Sequence, residues 1–495
     1  MATLTGSAEP RVEPLGAGAS RRVRWWLAAI LLAAFALRVG IGLALPTSDY
    51  PDEIFQTREP AHRLAYGYGV ITWEFRDGIR NWVFPAFLAG VMRATDWMGP
   101  GSLGYSLGIL LTLSAISLGV VASGFWWGYR SGGLAAAIIT GATCALWYEL
   151  IYYAPQALSE VLAAHLLAPG LYLACFAGEP GAPGGESGEK WRVRLFFAGI
   201  LFGTSLALRI HLLPAIALAL LLTCRISGRK WATMLTGLAL PLLLFGMVDW
   251  LTWGAPFASY WRSITVNVFH HKSNLYGRAP AFWLVMQAGL RFGPIAIFMV
   301  PGLRRARVPA AVALTVLATH SAFAHKEYRF IYPAVPLLCI LMGLGLASLF
   351  AGKGRCGWLA TPAARVAAAV VFLAGVSASQ GVSYGTWTRQ AGYIQSFREL
   401  SRRSDVCGVG IDDPWWAQSG YATLHRNLPL YSLQGDFPHD PAAFNYATSW
   451  HLDAQRYPSY HLLRCWSGFC LYRRGGGCTS AANYSLNDVL RQLGE

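Results

Sequence analysis

The stretch Tyr50-Pro51-Asp52-Glu53-Ile54-Phe55-Gln56 comes just after the first long apolar run of the chain, residues 25–45. A run of that length is sufficient to cross a bilayer as a helix, and Pro51 marks a turn beyond its end. A basic cluster at positions 21–24 precedes the run, and basic residues that flank a span stay in the cytoplasm. The sequence therefore predicts a first transmembrane helix that brings the adjacent carboxylates of Asp52 and Glu53 to the opposite membrane face.

The composition is typical of a polytopic membrane protein. Of the 495 residues, 54% are hydrophobic and only 13% are charged, whereas soluble domains carry about 25% charged residues. Apolar runs long enough to span a bilayer recur along most of the chain. The formal net charge of +15 falls largely in short loops between these runs, where it sets membrane topology. This distribution argues against a nucleic-acid partner.

About eleven spans are predicted from these runs. They lie at residues 25–45, 103–126, 134–151, 157–177, 195–208, 212–224, 232–253, 282–303, 310–323, 331–350 and 364–381. With position 21 inside, every short basic loop falls on the cytoplasmic side, as the positive-inside rule expects. Segment 81–98 is also apolar, but Arg93 and Asp96 interrupt it. We therefore expect it to lie at the outer interface, and counting it as a twelfth span would invert the topology after it.

Three regions follow from this pattern. Residues 1–20 are expected to form a disordered cytoplasmic tail, and residues 21–383 a transmembrane domain whose first external loop spans 46–102. Residues 384–495 have the composition of a soluble domain, which we expect to be small, α/β and extracytoplasmic. Strands are expected at 406–411, 428–433 and 469–472, while 447–452 is too polar to assign.

Four cysteines fall in this last region, at Cys407, Cys465, Cys470 and Cys478. An even number in an external domain indicates disulfides, and four cysteines allow three pairings. The short separation of Cys465 and Cys470 favours a local bridge, with free buried thiols as the alternative. The spacing lacks the paired C-x-x-C pattern of zinc sites, so we expect neither a metal nor a cofactor.

Two groups of motifs carry a family resemblance. The first is the stretch Tyr50–Gln56 followed by Glu59-Pro60-Ala61-His62, Tyr66-Gly67-Tyr68-Gly69, Thr72-Trp73-Glu74-Phe75, Ile79-Arg80 and Phe84-Pro85; the second is His325-Lys326-Glu327-Tyr328-Arg329-Phe330. Weaker similarities lie at Leu158-Ser159-Glu160 and Asn274-Leu275-Tyr276-Gly277. The chain resembles the dolichyl- or polyprenyl-phosphate-mannose-dependent α-mannosyltransferases that build GPI anchors and the N-glycan precursor, glycosyltransferase family 22. It departs from them at Tyr50, where the family has His, and at Asn81, where it has Ser, so the resemblance does not extend to the identity of the acceptor.

The resemblance implies an all-α polytopic protein of the GT-C glycosyltransferase fold, with residues 21–383 as the catalytic domain. It also implies a polyprenyl-phosphate sugar donor, with mannose as the expected sugar, a lipid- or glycan-linked acceptor, and inversion at the anomeric carbon. Asp52 is the implied general base, with Glu53 as the other candidate. The Ala-, Gly- and Arg-rich composition favours a bacterial member, in the plasma membrane with its active site facing outside. A eukaryotic member would face the lumen of the endoplasmic reticulum.

Further roles combine the resemblance with the topology. A basic run on the outer face opposes the positive-inside rule, so His325, Lys326 and Arg329, together with Arg209 and His211, are expected to hold the donor phosphate. Lys326 and Arg329 are three residues apart and would share one side of a helical turn. Substrate binding is expected for a further set of polar and aromatic side chains. They are Glu59, His62, Trp73, Glu74, Arg80 and Glu327.

Structural or non-catalytic roles are also open for these residues. An Asp-Glu pair near a membrane interface is commonly a solvated loop, and the basic run could simply anchor the end of a helix. A transporter or flippase of lipid-linked sugars would also need many spans and buried charges. Such a protein is expected to show internal repeats with paired broken helices, which we do not find. A non-catalytic membrane scaffold would need neither motif.

Overall fold

The computed structural model describes residues 17–178, 190–350, 361–414, 418–434, 440–479 and 484–488. The first helix already begins at Ala17, so the predicted tail is too long: residues 17–20 are helical, and residues 1–16 lie outside the described set. The loop between the predicted spans 331–350 and 364–381 also lies outside it, from residue 351 to residue 360.

Eighteen α-helices are found in the described residues. They are α1 Ala17–Ala44, α2 Glu59–Tyr66, α3 Trp73–Arg76, α4 Val83–Thr95, α5 Leu103–Leu146, α6 Tyr148–Tyr152, α7 Ser159–Cys175, α8 Lys190–Leu208, α9 Leu213–Cys224, α10 Gly228–Trp253, α11 Ala258–Ile264, α12 Trp283–Phe292, α13 Met299–Arg305, α14 Arg307–Ser321, α15 Val335–Phe350, α16 Pro362–Ser383, α17 Ala391–Ser401 and α18 Tyr421–Leu424.

Seven helical stretches in the described residues are long and apolar enough to cross a membrane, and two further apolar helices, α7 and the stretch Ile210–Cys224, are shorter. The longest stretch, α5, has 44 residues and is bent where Gly132 and Gly133 leave helical geometry, with φ of +71° at Gly133. Glycine tolerates that conformation without steric cost. The bend divides α5 into two arms, which correspond to the predicted spans 103–126 and 134–151.

The helices of the bundle differ in how much of their apolar surface is buried inside the protein. The stretch Tyr328–Phe350, which contains α15, has 89% of its apolar window buried inside the protein, whereas the value for α1 is 11%. α15 packs against α5 and α13, and α1 packs against α5. A helix that is apolar all round can face lipid where it is not covered by protein. The bundle is therefore built around α15, with α1 at its periphery.

The apolar segment 81–98 forms α4 followed by a short 3₁₀ turn, Asp96–Met98. Phe84, Leu88 and Met92 recur at every fourth position and are buried against α2 and α5. Asn81 Nδ2 anchors the start of this helix, because it donates to Asp249 Oδ1 of α10 at 2.6 Å. The expected helix is present as part of the loop that connects α1 to α5.

The C-terminal region contains a five-stranded sheet in the order β2-β1-β3-β5-β4. Its strands are β1 Val409–Ile411, β2 Leu430–Ser432, β3 Tyr446–Ser449, β4 Tyr460–Trp466 and β5 Phe469–Arg474. β1 pairs in parallel with β2 and β3, whereas β5 pairs antiparallel with β3 and β4. The expected small α/β domain is confirmed, with β4 as an additional strand that the sequence analysis missed.

β4 is missed because most of its side chains are exposed at the sheet edge. A two-residue turn joins it to β5, with φ of +48° at Ser467 and +87° at Gly468, as is typical of tight hairpins. The local bridge between Cys465 and Cys470 crosses this hairpin. The second bridge joins Cys407 to Cys478, so the structure selects one of the three possible pairings.

The first loop lies between the helical bundle and the C-terminal domain. Ile54, Phe55 and Val70 are buried in one hydrophobic cluster with Val409 and Leu471 of the sheet. On the opposite side, α2 and α4 pack against each other and against the bundle. The loop that carries both carboxylates is therefore covered from two sides.

Candidate active site

The segment that follows Pro51 forms a π-helical turn, Glu53–Arg58, that continues into α2. Thr57 Oγ1 donates to the carbonyl of Ala157 at 2.6 Å, which fixes the turn to the start of α7. Wide turns of this kind are rare and frequently occur at functional sites. Here the turn directs neighbouring residues in different directions: Asp52 lines a large cavity, while Glu53 is buried on the other side.

The large cavity has a volume of about 970 Å³ and lies between the first loop, the segment 263–276 and the segment 320–330. Nine of the thirteen residues predicted for the site line it. They are Asp52, Trp73, Glu74, Arg80, Arg209, His211, His325, Glu327 and Arg329. A cavity of this size is large enough for a sugar together with a phosphate.

Arg329 is the centre of an ion-pair network at one wall of the cavity. Its Nη2 lies 2.9 Å from Asp52 Oδ2, its Nη1 lies 3.4 Å from Glu160 Oε1, and its Nε lies 2.6 Å from Glu327 Oε2. Glu160 Oε1 also pairs with Arg209 Nη2 at 3.2 Å. The ring of Tyr50 lies 4.8 Å from the Arg329 guanidinium, in cation–π geometry. Carboxylates from three chain segments thus hold one buried arginine.

A second set of contacts fixes the other oxygen of Asp52. Gln56 Nε2 donates to Asp52 Oδ1 and also lies 2.9 Å from Glu74 Oε1. Arg80 Nη2 pairs with the same Glu74 oxygen at 2.7 Å. Both oxygens of Asp52 therefore have fixed partners, and its carboxylate has a defined orientation toward the cavity.

The two carboxylates closest to Arg329 titrate differently. Burial raises the pKa of Asp52, an effect that the charge of Arg329 opposes and that nearby Glu74 and Glu327 reinforce. Burial alone would raise the pKa of Glu327 as well, but Arg329 and the hydrogen bond from His325 lower it to about 2. The hydrogen bond to Glu327 in turn raises the pKa of His325. Asp52 is therefore the more basic carboxylate, which is the property that proton acceptance requires.

Two residues predicted for the site point away from the large cavity. Glu53 is 1% exposed, and it pairs with Arg58 at 2.8 Å and accepts the Ala157 N–H at 3.2 Å. Lys326 Nζ donates to the carbonyls of Ala279 and Phe323. Lys326 and Arg329 do not share one helical turn as expected, because Glu327 between them has an extended backbone.

Glu59 and His62 lie at the junction with the C-terminal domain, away from the cavity. Glu59 accepts N–H groups from Val70 at 2.8 Å and from Ala422 at 2.6 Å. His62 Nε2 lies 3.0 Å from His425 Nδ1. These contacts join α2 to the region around α18, so the two residues position the domain over the loop.

Three cavity features were missed in the sequence analysis or given no role. Glu160 holds Arg209 and Arg329 from behind the cavity wall, and its only sequence signal was the weak similarity at 158–160. Asn274 lies within the similarity at 274–277 and lines the cavity. Gln56 ends the first motif but was given no role, since its contact depends on the π-helical turn that places it beside Asp52.

The two departures from the family pattern have structural contacts. Tyr50 packs its ring against Arg329. Asn81 donates to Asp249 Oδ1 and, at 3.0 Å, to the carbonyl of Phe245. Neither residue lines the large cavity. The described residues thus connect both departures to loop positioning.

Comparison with known sequences identifies close similarity to one enzyme family. The sequence profile described as the Alg9-like mannosyltransferase family matches residues 29–425. GPI mannosyltransferase 3 of Yarrowia lipolytica is 28% identical over 426 residues, which are 83% of this chain and 77% of that protein. GPI alpha-1,2-mannosyltransferase 3 of Xenopus laevis is 26% identical over 65% of this chain and 60% of its own length.

Comparison with solved structures shows the same fold. The crystal structure of ArnT from Cupriavidus metallidurans bound to undecaprenyl phosphate superposes with a TM-score of 0.58 at 12% identity, covering 92% of this chain and 98% of that one. The apo form of the same protein gives a TM-score of 0.57. The fold is that of GT-C glycosyltransferases, with a small C-terminal sheet domain.

The junction gives a prediction about pH. Burial raises the pKa of Glu59 to about 7, above the value of about 4.3 in an unfolded chain. A carboxyl whose folded pKa is raised stabilises the folded state below its unfolded pKa, and this contribution is lost as pH rises through the folded pKa. Glu59 should therefore make the junction about 3 kcal/mol less stable at pH 8 than at pH 4.

Hydrogen exchange of the Ala422 amide, which donates to Glu59, measures this change. His62 has its pKa lowered to about 4 by burial and acts in the opposite direction, so the comparison must be made with Glu59→Gln. The difference between the two proteins isolates Glu59 because both retain His62. An identical pH dependence of exchange in both proteins would contradict the prediction.

Proposed function

The chain belongs to the Alg9-like mannosyltransferase family, and from this premise we propose that it moves mannose from a polyprenyl-phosphate donor to a hydroxyl of a lipid- or glycan-linked acceptor. Its class, a membrane-bound hexosyltransferase, follows from the family and the fold. The observation that carries the detailed proposal is the cavity in which Asp52 faces three arginines. None of the relatives named above is a transporter, so the alternative of a flippase has no support from them.

In the proposed reaction, Asp52 accepts the proton of the acceptor hydroxyl. The oxygen then forms a bond to the anomeric carbon while the bond from that carbon to the phosphate oxygen breaks. The bonding electrons pass to the phosphate, and the configuration inverts because attack occurs on the face opposite the leaving group. The raised pKa of Asp52 favours proton acceptance, and its contacts with Gln56 and Arg329 keep it oriented.

Arg209 is the cation best suited to the leaving phosphate. It lines the cavity and pairs only with Glu160 in the described residues, whereas Arg329 pairs with three carboxylates. Arg329 lies directly against Asp52, so it serves the base more than a group on the opposite face of the sugar. His211 lines the cavity as a further donor, whereas both ring nitrogens of His325 are engaged by the Gly277 carbonyl and by Glu327. Fixed donors there stabilise negative charge as it develops on the phosphate.

The remaining cavity residues are proposed to bind the substrates and exclude water. Trp73 offers an aromatic face, with Lys272 Nζ 3.5 Å from its ring centroid. Glu74, Arg80 and Glu327 present polar atoms suitable for sugar hydroxyls. Residues of the segment 263–276 form one side of the cavity, and the C-terminal domain packs on the first loop. Water exclusion matters because water would otherwise take the place of the acceptor.

The protein is a multi-pass membrane protein, and we propose that its N-terminus is cytoplasmic. The first loop, the cavity and the domain after Tyr384 would then lie outside the cytoplasm, in the periplasm or external space of a bacterium or in a eukaryotic lumen. The bridges Cys407–Cys478 and Cys465–Cys470 support this side, because disulfides persist in oxidising compartments.

The catalytic assignment is tested with purified protein, polyprenyl-phosphate mannose and a panel of lipid and glycan acceptors. Asp52→Asn retains the size of the side chain but removes the base, so transfer should fall by roughly 10²–10⁴-fold. Glu53→Gln should lower stability more than turnover, because Glu53 faces away from the cavity. Near-normal turnover of folded Asp52→Asn would exclude Asp52 as the base.

The assignment of the phosphate ligand is tested by donor kinetics at saturating acceptor. Arg209→Gln should lower kcat/KM for the donor by about tenfold or more, as expected for loss of a charge-assisted hydrogen bond. Lys326→Gln is the matched control, since Lys326 does not line the cavity and its ammonium is bound to the backbone carbonyls of Ala279 and Phe323. Equal losses in the two variants, with both proteins folded, would mean that Arg209 has no special role.

The proposed orientation is tested by labelling a single introduced cysteine. Gly475 is exposed in the turn that follows β5, so Gly475→Cys should react with a membrane-impermeant maleimide applied to intact cells or to sealed vesicles of matching orientation. A cysteine introduced at the exposed Ile226, in the predicted cytoplasmic loop between α9 and α10, should react only after permeabilisation. The reverse pattern would invert the topology.

A further inference from the structure

A second cavity lies on the other side of the π-helical turn Glu53–Arg58 and is used by none of the steps above. It has a volume of about 80 Å³ and lies between the end of α1, the start of α5 and the helix α17 of the C-terminal domain. Glu53 and Arg58 line it, whereas Asp52 and Gln56 line the large cavity. The turn therefore forms a wall between two separate cavities, the smaller of which is large enough for a phosphate but not for a sugar.

The polar end of this cavity has hydrogen-bonding groups without partners. Gln156 is 3% exposed, and neither atom of its amide makes a hydrogen bond in the described part of the chain. The Tyr152 hydroxyl lies beside that amide and beside the side chain of Thr47 without a hydrogen bond of ordinary geometry to either, and Arg58 Nε is likewise unpaired in the described residues. An unsatisfied buried polar group costs about 1–3 kcal/mol. Three such groups around one cavity indicate a polar ligand.

The net positive charge of the residues that line the cavity favours an anionic ligand. Arg58 is paired with Glu53 at 2.8 Å, so these two charges offset each other. Arg398 of α17 also lines the cavity, and no carboxylate lies within ion-pair distance of it among the residues that the structure describes. Burial and the charges of Arg58 and Arg402 lower the pKa of Arg398, which indicates that the positive charge is poorly compensated. The cavity thus carries one excess positive charge.

The other end of the cavity is apolar and open at its edge. Leu43, Leu45 and Leu103 line it and remain 52%, 41% and 48% exposed, respectively. These residues lie at the adjacent ends of α1 and α5, two of the helices long enough to cross a membrane. An apolar opening between two such helices suits an acyl or prenyl chain, while the basic end suits a headgroup.

We propose that this second cavity binds the phosphate of an anionic lipid. Arg398, Arg58 and the Gln156 amide contact the phosphate oxygens, and the lipid chain leaves between α1 and α5. Planar guanidinium groups match phosphate geometry and form strong charge-assisted hydrogen bonds. The site is independent of the proposed transfer reaction. A bound phosphate would also brace the wall that holds Asp52 on its other face.

Binding is measured by native mass spectrometry of the full chain with dioleoyl phosphatidic acid. Arg398→Gln and Gln156→Leu should each raise the dissociation constant of one bound lipid molecule by about tenfold, as expected for loss of a hydrogen bond to a charged group. Arg402→Gln is the matched control, because Arg402 has the same charge and lies just beyond α17 but is exposed and does not line the cavity. It should bind as the unmodified chain does.

Two further ligands identify the source of the phosphate. Dioleoylglycerol has the same chains without phosphate and should bind at least about tenfold more weakly; equal binding would overturn the proposal. Inorganic phosphate that binds alone with the same dependence on Arg398 would overturn the lipid as ligand and assign the site to free phosphate. Equal losses in Arg398→Gln and Arg402→Gln, or none in Arg398→Gln and Gln156→Leu, would also overturn it.

A further variant distinguishes lipid binding in this second cavity from lipid binding in the large cavity. Arg209→Gln should leave the equivalent that depends on Arg398 unchanged, because Arg209 lines only the large cavity. Loss of that equivalent in Arg209→Gln would place the lipid in the large cavity and overturn the proposal. An absence of transferase activity would leave these binding results unaffected, so the two proposals can fail separately.

Discussion

The buried guanidinium of Arg329 requires compensation, and the chain supplies it from three directions. Asp52 comes from the first loop, Glu160 from the start of α7, and Glu327 from the segment that leads into α15. Removal of one partner from a buried ion pair leaves an uncompensated charge and destabilises a protein far more than loss of an exposed pair. This electrostatic requirement brings distant segments together at one wall of the cavity. It also explains why acids and arginines alternate there.

The π-helical turn Glu53–Arg58 is held on both sides, and it directs neighbouring residues into two different cavities. Ile54 and Phe55 pack into the hydrophobic core of the C-terminal domain, while Thr57 bonds to the start of α7. Asp52 and Glu53 then face different cavities although they are adjacent in sequence. Because the core of the C-terminal domain includes residues of the loop, the position of the carboxylate depends on the folding of that domain.

Much of the fold could be predicted from hydropathy, since long apolar runs have few alternatives to a membrane helix. The cavity residues followed from the family motifs, but their directions did not. Glu53 and Lys326 stand beside cavity residues in sequence, yet a π turn and an extended residue direct them elsewhere. Strand β4 was missed because its apolar residues Leu462 and Leu463 are adjacent and exposed, so its sequence lacks the alternation of apolar and polar residues that indicates a strand. Spacing alone cannot reveal such local departures from regular helices and strands.

Residues that carry the family resemblance have two physical tasks here. Glu74 and Arg80 contribute to the network at the cavity, whereas Glu59 and His62 hold α2 against the C-terminal domain. A position that accepts N–H groups from both sides of a junction requires a carboxylate as strictly as a catalytic position does. An apolar residue there would leave those donors unsatisfied. The motif thus specifies both the chemistry of the cavity and the attachment of the domain that covers it.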